Sequence, residues 1–253
     1  MLRRFLLLIL IVISLSACAS RDTLFQTSTI HALINGVYDG ELTFYDLALH
    51  GDFGLGTFNA IDGEMVALDG NFYQVKTDGR AYPVSDNQKT PFAVVTFFRT
   101  DKVITVSKAR DLDSLKNSID KGLETENIPY AVKIHGTFPY IKVRSVPKQT
   151  KPYPPLTEVV SGQSEFEYKN ITGTIVGFRL PEYMKGVNAA GYHFHFIADD
   201  KIRGGHVLGI KTNEAVVELD STSRVLISLP EGGEFYGTDL KGDRSKALDK
   251  VEK

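Results

Sequence analysis

Gly191-Tyr192-His193-Phe194-His195-Phe196-Ile197-Ala198, followed by Arg203-Gly204-Gly205-His206-Val207-Leu208, is the stretch on which the fold prediction depends. Successive side chains of a β-strand point to opposite faces, so the aromatic residues of 192–196 line one face, and His193 and His195 the other. His206 follows a Gly-Gly pair and the polar turn 199–201, which suits a second strand that folds back. The stretch therefore predicts a hairpin on which three of the six histidines converge.

Converging histidines favour a metal site. Three histidine ligands with one open position are a common arrangement for catalytic zinc. Neutral imidazoles leave the ion its positive charge, so it can polarise a carbonyl or activate water. The residues alone leave a second interpretation open, in which His193 and His195 are exposed or are hydrogen-bonded within the core. An enzyme would also need acids, bases or anion-binding groups, and the spacing does not identify them.

Composition narrows the classes of function. The chain has 253 residues, 42% hydrophobic and 24% charged, which is typical of a globular protein with one or two domains. Its net charge is −2, so it lacks the excess of Lys and Arg that binds nucleic acid, and no nucleic-acid partner is expected. Because Cys18 is the sole cysteine, the chain has no cysteine pair for an internal disulfide.

The N-terminus has the pattern of an export signal. Arg3 and Arg4 precede a mostly apolar run over 5–15, which is shorter than the ~20 residues of a membrane-spanning helix. The sequence at 15–18 resembles a bacterial lipobox, which predicts a signal peptide over 1–17 and a lipidated Cys18. Cleavage after Ala19, giving a secreted soluble protein, is the alternative. We favour lipidation because the sole cysteine occupies the lipobox position, and we expect a chain outside the cytoplasmic membrane, periplasmic or at the cell surface, that touches a membrane only through its N-terminal lipid.

The remaining sequence reads as short strands with few helices. Asp-Gly pairs at 62–63, 69–70 and 78–79 predict an antiparallel meander over 53–82. Leucines and isoleucines at helical spacing predict a helix over 111–126. Short helices are expected at 29–36, 43–49 and 156–162, and the polar tail forms either a short helix at 246–252 or a disordered segment. Further strands are expected at 91–98, 102–106, 130–138, 140–146, 165–168, 171–180, 214–219 and 225–229. His135 is expected to be a partly buried strand residue.

These elements predict a mixed, sheet-rich α/β fold with two β-sheet-based domains. Prolines at 152, 154 and 155 exclude regular structure from Lys148 to Pro155, which is either a linker or an ordered loop. The predicted N-terminal mixed-sheet domain therefore covers 22–147 and the Pro-rich linker 148–155. An antiparallel-sheet domain with the histidine hairpin and a polar C-terminal tail is expected over 156–253.

A set of longer sequence blocks adds a family resemblance. The blocks are Asp39-Gly40-Glu41-Leu42-Thr43, His50-Gly51-Asp52-Phe53-Gly54-Leu55-Gly56-Thr57-Phe58-Asn59, Asp62-Gly63-Glu64-Met65, Thr90-Pro91-Phe92-Ala93, Gly191-Tyr192-His193-Phe194-His195-Phe196 and Gly204-Gly205-His206-Val207-Leu208. Together they resemble the α-acetolactate decarboxylase family over about Leu24 to Lys253. The resemblance implies a two-domain α/β fold with zinc between the domains, a homodimer, and conversion of acetolactate to acetoin and carbon dioxide.

The resemblance also implies roles for individual residues. His193, His195 and His206 match the zinc ligands. The family's catalytic glutamate and active-site arginine match Glu64, in Asp62-Gly63-Glu64, and Arg144, in Ile141-Lys142-Val143-Arg144, and Thr57 would line the site. A second glutamate lies near the C-terminus of family members, where Glu252 is the best match. Zinc would stabilise the enediolate left by loss of carbon dioxide, and Glu64 or Glu252 would protonate it.

Two other classes of protein remain as alternatives. A cupin-like metalloenzyme also uses a His-x-His strand, but its next acidic ligand is usually glutamate and its last histidine comes from a distant strand. Here Asp199 and Asp200 follow the pair, and His206 is close in sequence. The other alternative is a zinc-binding surface lipoprotein without catalysis, a class that tends to have flexible His-rich or acid-rich loops.

Overall fold

The computed structural model describes residues 22–252, so the predictions for 1–17 and Cys18 lie outside the described residues. This part of the chain forms two large sheets and one small one. The strands are β1 (Thr23–Thr27), β2 (Leu42–Thr43), β3 (Phe53–Thr57), β4 (Glu64–Leu68), β5 (Asn71–Val75), β6 (Ala81–Pro83), β7 (Lys89–Thr90), β8 (Ala93–Thr96), β9 (Lys102–Val106), β10 (Tyr130–Phe138), β11 (Tyr140–Ser145), β12 (Ser164–Tyr168), β13 (Ile171–Leu180), β14 (Gly191–Ala198), β15 (Gly204–Lys211), β16 (Ala215–Ser221) and β17 (Arg224–Ser228).

The α-helices are short. They are α1 (Ile30–Ile34), α2 (Phe44–Ala48), α3 (Leu112–Asp120), α4 (Leu156–Val159), α5 (Glu234–Gly237) and α6 (Ser245–Glu252). Asp111 caps α3, where its side chain accepts a hydrogen bond of 2.8 Å from the backbone of Ser114. The predicted helix over 111–126 thus begins as expected and ends earlier, at Asp120. Among residues 22–252, no helix has the length and apolar character needed to span a membrane.

The first sheet has the order β17-β1-β8-β3-β4-β5-β6. Its neighbours are antiparallel except β1 and β17, which run parallel. Asp69 and Gly70 both have positive φ, 51° and 76°, so a tight turn joins β4 to β5. The predicted meander over 53–82 is therefore present as β3 to β6.

The second sheet is antiparallel throughout, with the order β12-β11-β15-β14-β13-β10-β16-β9. Its β14–β15 hairpin sets His195 opposite His206 in the strand register. The predicted histidine hairpin is therefore present. By contrast, the prediction for His135 is wrong: 53% of its side chain is exposed, because it lies on the outer surface of β10 and faces Asp199 at 3.4 Å.

The sheets do not follow the predicted division at 148–155. Strands β9 to β11 precede that segment but belong to the second sheet, while β17 follows it and returns to the first. The chain changes sheet between β8 and β9, because strand pairing depends on distant partners rather than on linker composition. Residues 148–155 form an ordered loop: Tyr38 donates a hydrogen bond of 2.9 Å to Pro154 O, and Tyr153 one of 2.9 Å to Asp39.

Within residues 22–252 the hydrophobic core has three layers. The two large sheets face each other through one layer, to which Leu55 and Val66 contribute from the first sheet and Val176, Phe178 and Ile197 from the second. Helix α2 covers the other face of the first sheet. Helix α3 covers the other face of the second sheet, and its buried residues belong to the same cluster as Phe194 and Phe196. Consequently the aromatic face of β14 lies in an outer core layer and its histidine face points toward the first sheet.

Candidate active site

His193, His195 and His206 meet in the layer between the two sheets. His193 Nε2 lies 3.2 Å from His195 Nε2 and 3.1 Å from His206 Nδ1. The potential ligand atoms of the three residues all lie within 4.8 Å of one another, and all three side chains are buried. The hairpin register and the alternation of β14 produce this arrangement, as the sequence predicts.

The three imidazoles fit a tetrahedral zinc ion. Zn–N bonds of about 2.0–2.1 Å place two ligand nitrogens about 3.3 Å apart, close to the 3.2 Å and 3.1 Å that separate His193 Nε2 from His195 Nε2 and His206 Nδ1. His195 Nδ1 lies 2.7 Å from Met65 O and donates to it, which leaves the Nε2 lone pair directed at the cluster. Burial, reinforced by the Arg144 cation, lowers the pKa of His193 to about 3. Burial likewise holds the pKa of His195 and of His206 well below the usual range. All three imidazoles are therefore neutral, and each can offer a nitrogen lone pair to a metal ion.

Glu64 brings a carboxyl group to this cluster from the first sheet. Its Oε2 lies 3.5 Å from His195 Nε2. Gly63, just before it, has φ of +88°, and a Cβ there would lie 2.2 Å from Val75 O, so the turn requires glycine. Thr57 pairs with Glu64 in the ladder and donates a hydrogen bond of 2.7 Å to Gly63 O. Thr57 therefore fixes the backbone from which Glu64 extends.

Arg144 lies on the second sheet and contacts both sides of the site. On β11 it pairs with His206 in register. Its Nη1 donates to Glu64 Oε1 at 2.5 Å and its Nη2 to Val251 O at 3.1 Å. Among the described residues, its buried Nε has no hydrogen-bond partner. Arg144 thus links the two sheets and α6, and keeps one donor free.

Glu252 supplies a second carboxyl group from α6. Its Oε1 lies 3.9 Å from His193 Nδ1, and its Oε2 lies 3.9 Å from His206 Nε2. Leu248 and Val251, on the same helix, are buried in the layer between the sheets and hold α6 in place. The structure therefore brings the C-terminal glutamate of the sequence analysis into the same cluster as Glu64 and Arg144.

Both glutamates are poised to hold a proton near neutral pH. Burial raises the pKa of Glu64 to about 7, with Arg144 lowering it and Glu252 raising it. Burial also raises the pKa of Glu252 to about 7, against the lowering effects of Arg144 and Lys116. A carboxyl group with a pKa near the ambient pH can both donate and accept a proton, which general acid–base catalysis requires.

A cavity of about 40 Å³ adjoins these groups. Thr57, Glu64, Arg144, His193, His195 and Glu252 supply its polar lining, and Ile30, Leu33, Phe92, Val146 and Leu156 are among its apolar residues. All the site residues predicted within 22–252 thus lie in one region. The site also uses two backbone acceptors, Met65 O and Val251 O, which no side-chain pattern in the sequence indicates.

On this two-sheet fold, the histidine cluster and its carboxyl neighbours define a candidate site for metal-assisted proton transfer. This chain belongs to the alpha-acetolactate decarboxylase family, whose sequence profile matches residues 24–242. Glu252 lies beyond the matched residues, so its place in the site rests on its 3.9 Å distances to His193 and His206.

Sequence and structure similarity to individual relatives supports this assignment. The alpha-acetolactate decarboxylase of Methanosarcina mazei is 53% identical over 232 residues, covering 92% of this chain and 81% of that protein. That of Methylococcus capsulatus is 50% identical over 228 residues, covering 90% and 88%. The X-ray crystal structure of alpha-acetolactate decarboxylase from Bacillus subtilis strain 168 has a TM-score of 0.88 and 35% identity, covering 91% of this chain and 99% of that chain. The predicted sheet-rich fold is therefore confirmed.

Proposed function

We propose that this chain decarboxylates 2-acetolactate to acetoin and carbon dioxide, with zinc held by His193, His195 and His206. One observation carries the proposal. Three buried histidines, an arginine and two carboxyl groups line one region, in a chain about half identical to named decarboxylases.

The reaction needs stabilisation of negative charge and one proton. The bond between the hydroxyl-bearing carbon and the carboxylate breaks, and its electron pair passes into the adjacent ketone, which leaves an enediolate. Protonation at carbon then gives acetoin. Zinc at the three histidines would supply the positive charge that stabilises the enediolate. No organic cofactor is required for this electron flow.

Arg144 binds the anionic groups of the substrate in this proposal. The guanidinium is held by Glu64 and Val251 O, so its orientation is fixed before substrate arrives. The free Nε donor and the planar fork suit a carboxylate or an oxyanion. Because catalysis requires tighter binding of the transition state than of the substrate, Arg144 should not over-stabilise the departing carboxylate.

A glutamate delivers the proton. Glu64 borders the histidine cluster from the first sheet and Glu252 borders it from α6, and each has a pKa raised to about 7. Delivery from one fixed carboxyl group reaches one face of the enediolate and produces one acetoin enantiomer. Chiral analysis of acetoin made by Glu64→Gln and Glu252→Gln variants tests which carboxyl group sets the face.

A direct assay tests the activity and its metal. The purified protein is incubated with acetolactate before and after chelation, and acetoin, carbon dioxide and bound zinc are measured. We expect turnover that is lost on chelation and restored by zinc. Zinc binding without turnover would favour the non-catalytic lipoprotein instead. Turnover that survives complete removal of metal would rule out the proposed zinc dependence.

We also propose a homodimer that forms through β17. This strand ends the first sheet, and Val225, Leu226 and Leu229 at or just beyond it are 41%, 50% and 50% exposed. An apolar edge strand is a template for pairing with another chain. Val225→Lys should yield monomers in light scattering, whereas Val103→Lys, at a 58% exposed valine on edge strand β9, should not. A monomeric wild type would contradict this proposal.

For localisation, we propose export and anchoring through a lipid on Cys18. The support is the N-terminal sequence pattern, since these residues lie outside the described part. Labelled palmitate should be incorporated into the wild type and not into Cys18→Ser. Labelling that persists in the variant would contradict the anchor, and a soluble, unlabelled wild type would favour cleavage after Ala19.

A further inference from the structure

A groove of about 580 Å³ on the protein surface borders the candidate site at Glu252. Helix α3, the start of β14 and helix α6 form its walls, and Glu252 lines both this groove and the site cavity. The Glu252 side chain is 18% exposed, compared with 6% for Glu64 and 1% for His195. Glu252 is therefore the site carboxyl group most open to solvent, and the groove is an approach route to it.

The groove has an unfavourable charge balance for an anion. Asp113, Asp120 and Asp249 line it together with Glu252. Like charges repel a carboxylate that approaches Glu252, and the low dielectric of a partly closed groove strengthens the effect. An anionic substrate that uses this route therefore needs a cation nearby.

Among residues 22–252, two cationic residues line the groove, and one of them is already paired. Arg179 donates from Nη1 to Glu126 O at 2.5 Å and from Nη2 to Glu126 Oε2 at 2.6 Å. The other, Lys116, is half-buried on α3, and its charge acts on Glu252. Of the described cations, Lys116 is therefore the one best placed to meet an anion at the mouth of the site.

We propose that Lys116 is a positioning residue that draws the substrate carboxylate along the groove toward Glu252. This inference rests on the proposed function, since acetolactate carries the carboxylate in question. The ammonium group acts at a distance and takes no part in bond breaking. Its effect should therefore appear in substrate capture and depend on ionic strength.

The test compares Lys116→Gln with Lys121→Gln at low and high salt. Lys121 follows α3, is exposed, and is not among the residues that line the groove, so it is a matched control. We expect Lys116→Gln to lower kcat/KM about fivefold at 0.01 M salt, with kcat within about twofold of the wild type. The difference should vanish near 1 M salt, where the Debye length is about 3 Å. Lys116→Arg should restore capture.

The outcomes separate this inference from the proposed function. An inactive wild type in the acetolactate assay overturns the function itself. An active wild type with Lys116→Gln unchanged at low salt overturns the role of Lys116 alone. A salt-independent loss in Lys116→Gln, or a loss in kcat that Lys116→Arg does not restore, indicates structural damage and also overturns it.

Discussion

Arg144 Nη1 lies 2.5 Å from Glu64 Oε1 and joins the two large sheets, because Glu64 begins β4 and Arg144 lies on β11. The side chains are only 5% and 6% exposed. Removing one partner of a buried ion pair leaves the other charge without compensation. A substitution at either position therefore affects both the site and the fold, and experiments must measure the two effects separately.

Glu64→Gln should lower turnover by about 10²-fold or more, because the amide cannot exchange the proton that a carboxyl group holds. Steady-state acetoin formation measures the loss, and thermal unfolding with zinc analysis shows whether the variant remains folded and loaded. Glu41→Gln is a suitable control, since Glu41 also pairs with a cation at 2.5 Å, Lys89, but its side chain is 89% exposed. Undiminished turnover in Glu64→Gln would remove Glu64 as an essential acid.

His193→Ala should bind zinc at least about 100-fold more weakly, because it deletes the imidazole that contacts both other histidines. Competition with a metallochromic chelator measures the affinity without reference to catalysis. His135→Ala, which removes a histidine with a 53% exposed side chain, should leave zinc binding unchanged. Full zinc content and full activity in His193→Ala would contradict the ligand assignment.

Gly63→Ala should be more damaging than Gly70→Ala. Both glycines have positive φ, +88° and +76°, so alanine is strained by about 1–2 kcal/mol at either position. At Gly63 the new methyl group would also lie 2.2 Å from Val75 O, whereas at Gly70 no atom lies within 4 Å. We expect a larger loss of unfolding free energy in Gly63→Ala, together with lower activity because Glu64 is the next residue. Equal losses from the two substitutions would count against this account of the turn.

Local sequence patterns predicted much of the secondary structure. Strands β9, β10 and β13 begin and end at the predicted residues, since apolar alternation and turn residues act over short distances. The histidine hairpin was predictable for the same reason. Sheet membership was not: β17 pairs with β1 from the opposite end of the chain, and β9 to β11 join strands that follow the Pro-rich loop.

In the site, too, local sequence patterns predict some features, while others depend on residues that are distant in sequence. Alternation along β14 placed His193 and His195 on one face, but no spacing connected them to Glu64 or Arg144. The family resemblance, and not the spacing, predicts that those two residues and Glu252 belong to the site. The hydrogen bonds of His195 with Met65 O and of Arg144 with Val251 O involve backbone acceptors, so they become visible only in the folded chain.

The unfolding free energy of Asp220→Asn minus that of the wild type should be larger at pH 7 than at pH 4. Asp220 is 1% exposed, and burial raises its pKa from 3.8 to about 6 despite a hydrogen bond from Arg99 N. The pKa of Asp220 is higher in the folded state than in the unfolded state, so the folded wild type has its full stability below pH 4. It loses up to about 3 kcal/mol of unfolding free energy as pH rises through 6. Urea unfolding across this range measures the difference, with exposed Asp69→Asn as the control. A pH-independent difference would contradict it.

Glu252→Gln should lower turnover by about 10²-fold while zinc remains bound, because Glu252 borders His193 and His206 at 3.9 Å without serving as one of the three converging ligands. Its position at the end of the groove also makes it the carboxyl group best placed to exchange protons with solvent. Glu182→Gln, at a side chain 82% exposed, is the matched control. Wild-type turnover in Glu252→Gln would assign proton delivery to Glu64, and loss of zinc would instead assign Glu252 a part in holding the metal.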